Sequence, residues 1–155
     1  MKKGLKIGVI VVVAAFVVLQ FFRIDKANPP IVPAETLEAA VSVPPDIALV
    51  LGRSCADCHS NTTIYPWYAN VQPFAWFLKG HIDDGKRRLN FSIFNTYDKS
   101  KKLKKLEEMC DQVKDGEMPL PSYLWIHRDA VMNEGEIKAI CTWSEQEIAK
   151  LEAVE

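Results

Sequence analysis

Residues 55–59 read Cys-Ala-Asp-Cys-His, and no other stretch limits the fold of this chain as much. Two thiols three residues apart can each add to a vinyl group on one edge of a porphyrin. The next residue then offers an imidazole to the iron from one side. C-x-x-C-H is the sequence form of covalent haem attachment. With 4 Cys and 3 His in 155 residues, chance alone would produce the pattern about 0.002 times. A chain built this way must leave a crevice beside Cys55, Cys58 and His59 and wall it with apolar side chains.

Two other uses of these residues compete. A zinc site needs four ligands, normally a second pair of Cys or His. Cys110 and Cys141 are singletons, and His81 and His127 are far apart. A thioredoxin-like redox pair needs a βαβ setting, and no β-rich run flanks the motif.

The charge is unevenly spread. Residues 1–23 carry Lys2, Lys3, Lys6 and Arg23 with no acid, +4; the remaining 15 basic and 20 acidic residues make −5, for a net −1. A remainder without positive excess has no field to hold phosphates, which argues against nucleic acid as a partner. Residues 7–22 are uncharged and almost wholly apolar. Counted from Gly4, with Lys6 snorkelling, the stretch is 19 residues, about enough to span a hydrocarbon core at ~1.5 Å per residue. A cleaved signal peptide would share the lysine-rich start. However, Leu19, Gln20, Phe21, Phe22 and Arg23 offer no small-residue cleavage site. The expectation is an uncleaved signal anchor over residues 1–23, forming a single transmembrane helix. Lysines ahead of the apolar run would keep the N-terminus in the cytoplasm. The chain would then be a single-pass protein of the bacterial inner membrane. Its haem domain would face the periplasm, the side on which covalent haem attachment takes place.

Residues 24–44 hold Pro29, Pro30, Pro33 and Pro44 and read as an extended, proline-rich tether with at most a short helical turn near 35–40. The haem domain is expected over residues 45–155, all-α. Pro45 and Asp46 suit the first turn of a helix over 45–53, with Ile47, Val50 and Leu51 on one face. This helix delivers Cys55. Tyr65, Pro66, Trp67 and Tyr68 follow, and aromatic rings such as Trp67 would wall a macrocycle, although ordinary core packing accounts for them too. A helix over 73–86 places Phe74, Phe77, Leu78, His81 and Ile82 together. A histidine on an apolar face is more often a hydrogen-bonded core residue than a ligand; the nearby iron makes His81 the alternative distal ligand. Asn90 and Ser92, beside Arg87 and Arg88, are candidate donors to haem propionates, with loop capping an equal reading.

The spacing predicts an amphipathic helix over 99–113, N-capped by Asp98 and ended by Gly116, with Leu103, Leu106, Cys110 and Val113 inward. Its lysines 99, 101, 102, 104 and 105 form a solvated face or a docking patch for an acidic redox partner. Gly116, Pro119 and Pro121 then force a loop. A methionine inside it is not placed by helix packing, and a thioether is a soft ligand suited to haem iron. Met118 is therefore the expected distal ligand, ahead of Met109 and Met132, which lie in or beside helices. Asn133 and Glu136 form a box-like cap on the last helix, whose apolar face includes Ile137, Ile140, Cys141, Ile148 and Leu151. Cys110 and Cys141 both point inward. An oxidising compartment would pair them, and otherwise they are two buried thiols.

Together these motifs resemble the bacterial haem-binding domain family, a group of small monohaem c-type proteins. The resemblance is carried by residues 55–61, Tyr65 to Tyr68, Pro73, Trp76, His81 and Gly85. It continues through residues 89–92 and 116–120, then Tyr123, His127 and Trp143. It implies a cytochrome c-like helical fold around one covalent haem c and an electron-transfer or haem-binding role. The G-x-M-P order also looks like the methionine loop of class I cytochromes c, which again gives Met118 the distal place.

The expected protein is thus a membrane-anchored, exported monohaem electron carrier that serves redox partner proteins and is not an enzyme. An open or His81-ligated iron would instead make it a redox or gas sensor or a small peroxidase. A haem that only plugs an interaction module is the third reading.

Overall fold

Proline placement and capping set most of the helix boundaries. The computed structural model describes residues 2–153. Met1 and residues 154–155, at the ends of the expected anchor and haem segments, lie outside the described residues. Among these the regular elements are α1 Lys2–Leu19, α2 Leu37–Ala40, α3 Pro45–Ser54, α4 Ala56–His59, α5 Phe74–Arg88, α6 Lys99–Lys114, α7 Pro121–Leu124 and α8 Glu134–Ala153, joined by short 3-10 turns. The all-helical expectation is met. The Asp98 carboxylate accepts from the Lys101 amide at 2.8 Å and starts α6, and Gly116 leaves it at φ 72°, the left-handed position glycine suits. Asn133 and Glu136 exchange side-chain and backbone bonds of 2.9 and 3.0 Å, a complete capping box ahead of α8.

The expected transmembrane anchor is overturned. α1 ends at Leu19, and with lysines at 2, 3 and 6 its uncharged part is residues 7–19. That is about 20 Å of helix at ~1.5 Å per residue, against ~30 Å of hydrocarbon. The chain just after it is tied to the domain instead, through the Gln20 side chain and the Phe22 carbonyl. Gln20 Nε2 donates to the Gln72 carbonyl at 3.2 Å, and its Oε1 accepts from the Gln72 amide at 2.9 Å. The Phe22 carbonyl accepts from Gln72 Nε2 at 2.8 Å and Trp76 Nε1 at 3.2 Å. No helix among the described residues is long and apolar enough to cross a membrane. The single-pass inner-membrane localisation falls with the anchor.

The proline-rich segment is no free tether either. Leu37 and Val41 are buried in the main core with Ile47, Val50 and Leu51 of α3. Trp143 Nε1 of α8 donates to the Ser42 carbonyl at 2.8 Å, and buried Glu147 accepts the Ser42 amide at 3.1 Å. Prolines kept the segment extended, but leucine and valine at its far end found the core.

α6 and α8 form the most extensive helix pair. Leu106, Met109 and Val113 of α6 meet Ile140 and Trp143 of α8, so Met109 is core, as its helical position indicates. A Cys110–Cys141 disulfide joins the two helices across 31 residues of sequence, and such a bond persists in an oxidising compartment. Closing a loop of that length removes about 3–4 kcal/mol of unfolded-state entropy. Replacing both cysteines by alanine is expected to reduce unfolding free energy by about that amount, measured by denaturant titration. A loss under ~1 kcal/mol would mean the helix pair stands without its bridge.

Phe74 and Phe77 depart from the predicted apolar face of α5. Both are exposed, whereas Ala75, Leu78, Ile82 and Gly85 are buried. Gly85 is the residue that meets α4, and Leu78 and Ile82 pack with Ala69 in a second small core.

Candidate functional site

The C-x-x-C-H stretch is built by a helix that stops and restarts. α3 runs to Ser54, Cys55 leaves helical geometry at φ −127°, ψ −38°, and α4 begins at Ala56. The amides of Cys58 and His59 both bond back to the Cys55 carbonyl, at 3.1 and 3.0 Å. Two cysteines and a histidine therefore share one tight turn. Gly85 of α5 packs against it so closely that an added Cβ would lie 2.5 Å from the Cys58 carbonyl oxygen.

α5 also orients the imidazole. Leu89, just past its end, is extended at φ −148°, ψ 128°, which turns its carbonyl out of the helix. His59 Nδ1 lies 3.0 Å from that oxygen. A carbonyl only accepts, so Nδ1 carries the proton and Nε2 keeps its lone pair. Burial lowers the His59 pKa from the ordinary imidazole value, against the pull of the Leu89 and Gly85 carbonyls. The ring is thus held neutral, the form that binds metal.

A crevice opens beside this turn as two adjoining lobes of about 280 and 270 Å³, together in the range of cofactor sites, ~300–1,000 Å³. Cys55, His59, Arg88, Gln112 and Met118 line both lobes. The first adds Phe91, Met109, Lys105 and Glu108; the second adds Cys58, His81, Asp57 and Tyr123. The predicted residues Cys55, Cys58, His59, Met118 and His81 therefore share one cavity. Met118 arrives there because Glu117 and Met118 both donate their amides to the Gln112 carbonyl at 3.0 Å, folding the loop back on the end of α6.

Three other candidates lie elsewhere. Trp67 is 73% exposed and meets Tyr68 edge-on, outside the lining of both lobes. Asn90 and Ser92 are buried and committed to Asn61. Asn90 Nδ2 donates to Asn61 Oδ1 at 3.1 Å, and the Asn61 amide donates to Ser92 Oγ at 2.9 Å. Asn90 Oδ1 also accepts the Ser92 amide at 2.9 Å. These bonds lock Asn61 to residues 90–92, next to the His59–Leu89 bond. They match the loop-capping reading of the two residues.

Both thiols are buried enough to stay protonated. Burial pushes Cys55 up to about 12, with Cys58 adding to it, and pushes Cys58 up to about 11, with Asp57 adding to it. A catalytic redox dithiol works by the opposite shift. Among the described residues no three His, Cys, Asp or Glu side chains gather as a zinc centre would require. Tyr123 donates to Asp57 Oδ2 at 2.9 Å. Burial, then the Asp57 carboxylate, drives its hydroxyl far above the ordinary tyrosine value, so it remains a donor.

The profile of the haem-binding domain family matches residues 14–146. The chain belongs to the haem-binding domain family. Haem is its cofactor, and the resemblance read from the motifs is confirmed as membership. No curated protein and no solved structure matches the chain. The residues of this haem-binding domain suit the group. One crevice offers a neutral imidazole, a thioether, two thiols and apolar walls from Leu89, Phe91 and Val113, while Arg88 supplies positive charge for an anionic porphyrin edge and Lys105 is paired with Glu108. Lys105, Gln112, Asp57 and Tyr123 had no site role from sequence. Lys105, which bridges to Glu108 at the crevice, was hidden in a lysine run where Lys104 shares Glu108, Lys102 bonds Asn95 and Lys101 covers the Tyr97 ring.

Proposed function

We propose that this haem-binding domain carries one haem c, joined through thioethers to Cys55 and Cys58 and ligated by His59 and Met118, and that it passes single electrons between redox partner proteins. The bound haem supplies a one-electron iron couple. The observation that carries the reading is the His59–Leu89 bond. It frees Nε2 in the same crevice as both thiols and the Met118 side chain. The protein's own residues orient the imidazole, keep it neutral and hold the thiols as S–H groups beside the place where vinyl carbons would lie. A sixth ligand on a rigid loop suits electron transfer, since little moves when the charge changes.

Covalent attachment is tested by acid–acetone extraction of the matured protein. Haem is expected to stay with the wild-type polypeptide and to leave a Cys55→Ala/Cys58→Ala variant almost completely. Haem lost from the wild type would reject the thioethers. The second reading, a redox or gas sensor or a small peroxidase, is favoured by His81, which lines the same lobe as Met118. Carbon monoxide separates them. Slow, weak binding by ferrous wild type fits the electron carrier, and fast binding fits an open site.

A further inference from the structure

The loop that carries Met118 is tied to the C-x-x-C-H turn by a bond that the ligand assignment does not use. Asp57 is one of the two residues between the cysteines. Its Oδ1 accepts the Ile64 amide at 2.9 Å, which orients the carboxylate, and its Oδ2 accepts the Tyr123 hydroxyl at 2.9 Å, across 66 residues of sequence. Tyr123 follows Met118 by five residues, with Pro119 and Pro121 stiffening the interval. Its ring is clamped. It stacks on His127 with centroids 4.0 Å apart and planes 5° from parallel, and His127 Nε2 is 2.8 Å from the Tyr68 hydroxyl. Tyr68 in turn packs in the small cluster that includes Cys58. Both partners of the bond line the lobe that holds His59, His81 and Met118.

The Met118 loop thus has two anchors of different kinds. At its start, the Gln112 carbonyl ties it to α6. Beyond Met118, Tyr123 ties it to the turn that bears the proximal histidine. The second anchor fixes the distance between the two sides of the crevice. We infer that Asp57 and Tyr123 form a strap that holds Met118 over the site and so determines whether the distal iron position is filled or open to an added ligand. They are positioning residues, and the inference rests on Met118 being the distal ligand. His81 lies on α5, which the strap does not tether, so cutting the strap frees Met118 selectively.

The test uses ferric holoprotein and two readouts, the sulfur-to-iron charge-transfer band and the affinity for added imidazole. Removing a partly buried hydrogen bond to a carboxylate should raise the open-loop population about tenfold. Apparent imidazole affinity rises in proportion to the competent fraction. Tyr123→Phe is therefore expected to bind imidazole about tenfold more tightly, with a weakened band. Asp57→Asn, which keeps an acceptor but loses the charge, should change less in the same direction. The double variant should match Tyr123→Phe within about twofold, because both substitutions act on one bond. A general loosening of the fold would instead make the two effects multiply, and that result would overturn the strap. A wild type with the band and a Tyr123→Phe variant with unchanged imidazole affinity would overturn the strap alone. A wild type without the band would overturn the Met118 ligation and the strap with it.

Discussion

Gly85→Ala is expected to lower the thermal midpoint by roughly 5–10 °C and to cut the fraction of chains that carry haem. A Cβ at this position would lie 2.5 Å from the Cys58 carbonyl oxygen and 3.1 Å from the Cys58 Cβ. The nearest obstructing atom is backbone and the Cβ is fixed to that backbone, so neither can swing away. Either α5 must move off α4 or the turn holding both cysteines must shift. Forced overpacking costs about 1–3 kcal/mol and sometimes more. Against this, alanine favours a helix over glycine by about 1 kcal/mol. With backbone as the obstacle we place the overpacking at about 3–4 kcal/mol, at or just above the top of that range, for a net loss of about 2–3 kcal/mol. Gly80 in the same helix is the control. Nothing lies within 4 Å of its added Cβ, so Gly80→Ala should stabilise slightly, by about 0.5–1 kcal/mol. Opposite signs at two glycines of one helix would locate the effect in the α4–α5 contact. A Gly85→Ala protein that melts with the wild type and carries full haem would show that α4 has room to retreat.

Met118→Ala should lower the midpoint potential by something on the order of 0.1–0.3 V, within the ~0.8 V range that axial ligands span. A thioether is soft and favours the reduced iron. Whatever replaces it is harder and favours the oxidised form. The ferric spectrum of the variant should lose the sulfur-to-iron band, and ferrous carbon monoxide binding should become fast. If His81 moves into the vacated position, the potential still falls but the spectrum stays low-spin, and adding His81→Ala then converts it to high spin. An unchanged potential and band in Met118→Ala would remove this residue from the iron altogether. The experiment is independent of Gly85, because the loop reaches the crevice from α6 and not from α5.

The parts of this molecule that were legible in the sequence are those decided within one or two helical turns. The capping box of Asn133 and Glu136, the Asp98 cap and the left-handed Gly116 each depend on backbone groups a few residues away. The same holds for the turn that gathers Cys55, Cys58 and His59, so the family could be read from short motifs. What the sequence misread or left open has the opposite cause. For Asn90 and Ser92 the sequence left propionate donation and loop capping equal, and their partner Asn61 lies about thirty residues away. Trp67 looked like a crevice wall and is exposed, because Tyr68 faces inward in its place. The 24–44 stretch looked like a tether, and composition cannot show that Leu37 and Val41 fit a gap beside α3 and α8. The apolar run after Lys6 matched a membrane span in composition. Its length was settled by where the helix stopped and where Gln20 and Phe22 were bonded.

The sequence by itself determined that this chain is helical and binds haem, and which turn gathers Cys55, Cys58 and His59. These follow from spacing along a local backbone whose hydrogen bonds are obligatory. Only the tertiary structure decided that Leu89 orients His59, that Cys110 pairs with Cys141, that Gly85 must lack a side chain, and that Asp57 meets Tyr123. Each joins residues about thirty or more apart in the chain, apart from the Gly85 approach to Cys58 at 27. At those separations the partner is chosen by how helices pack, and no local pattern records it.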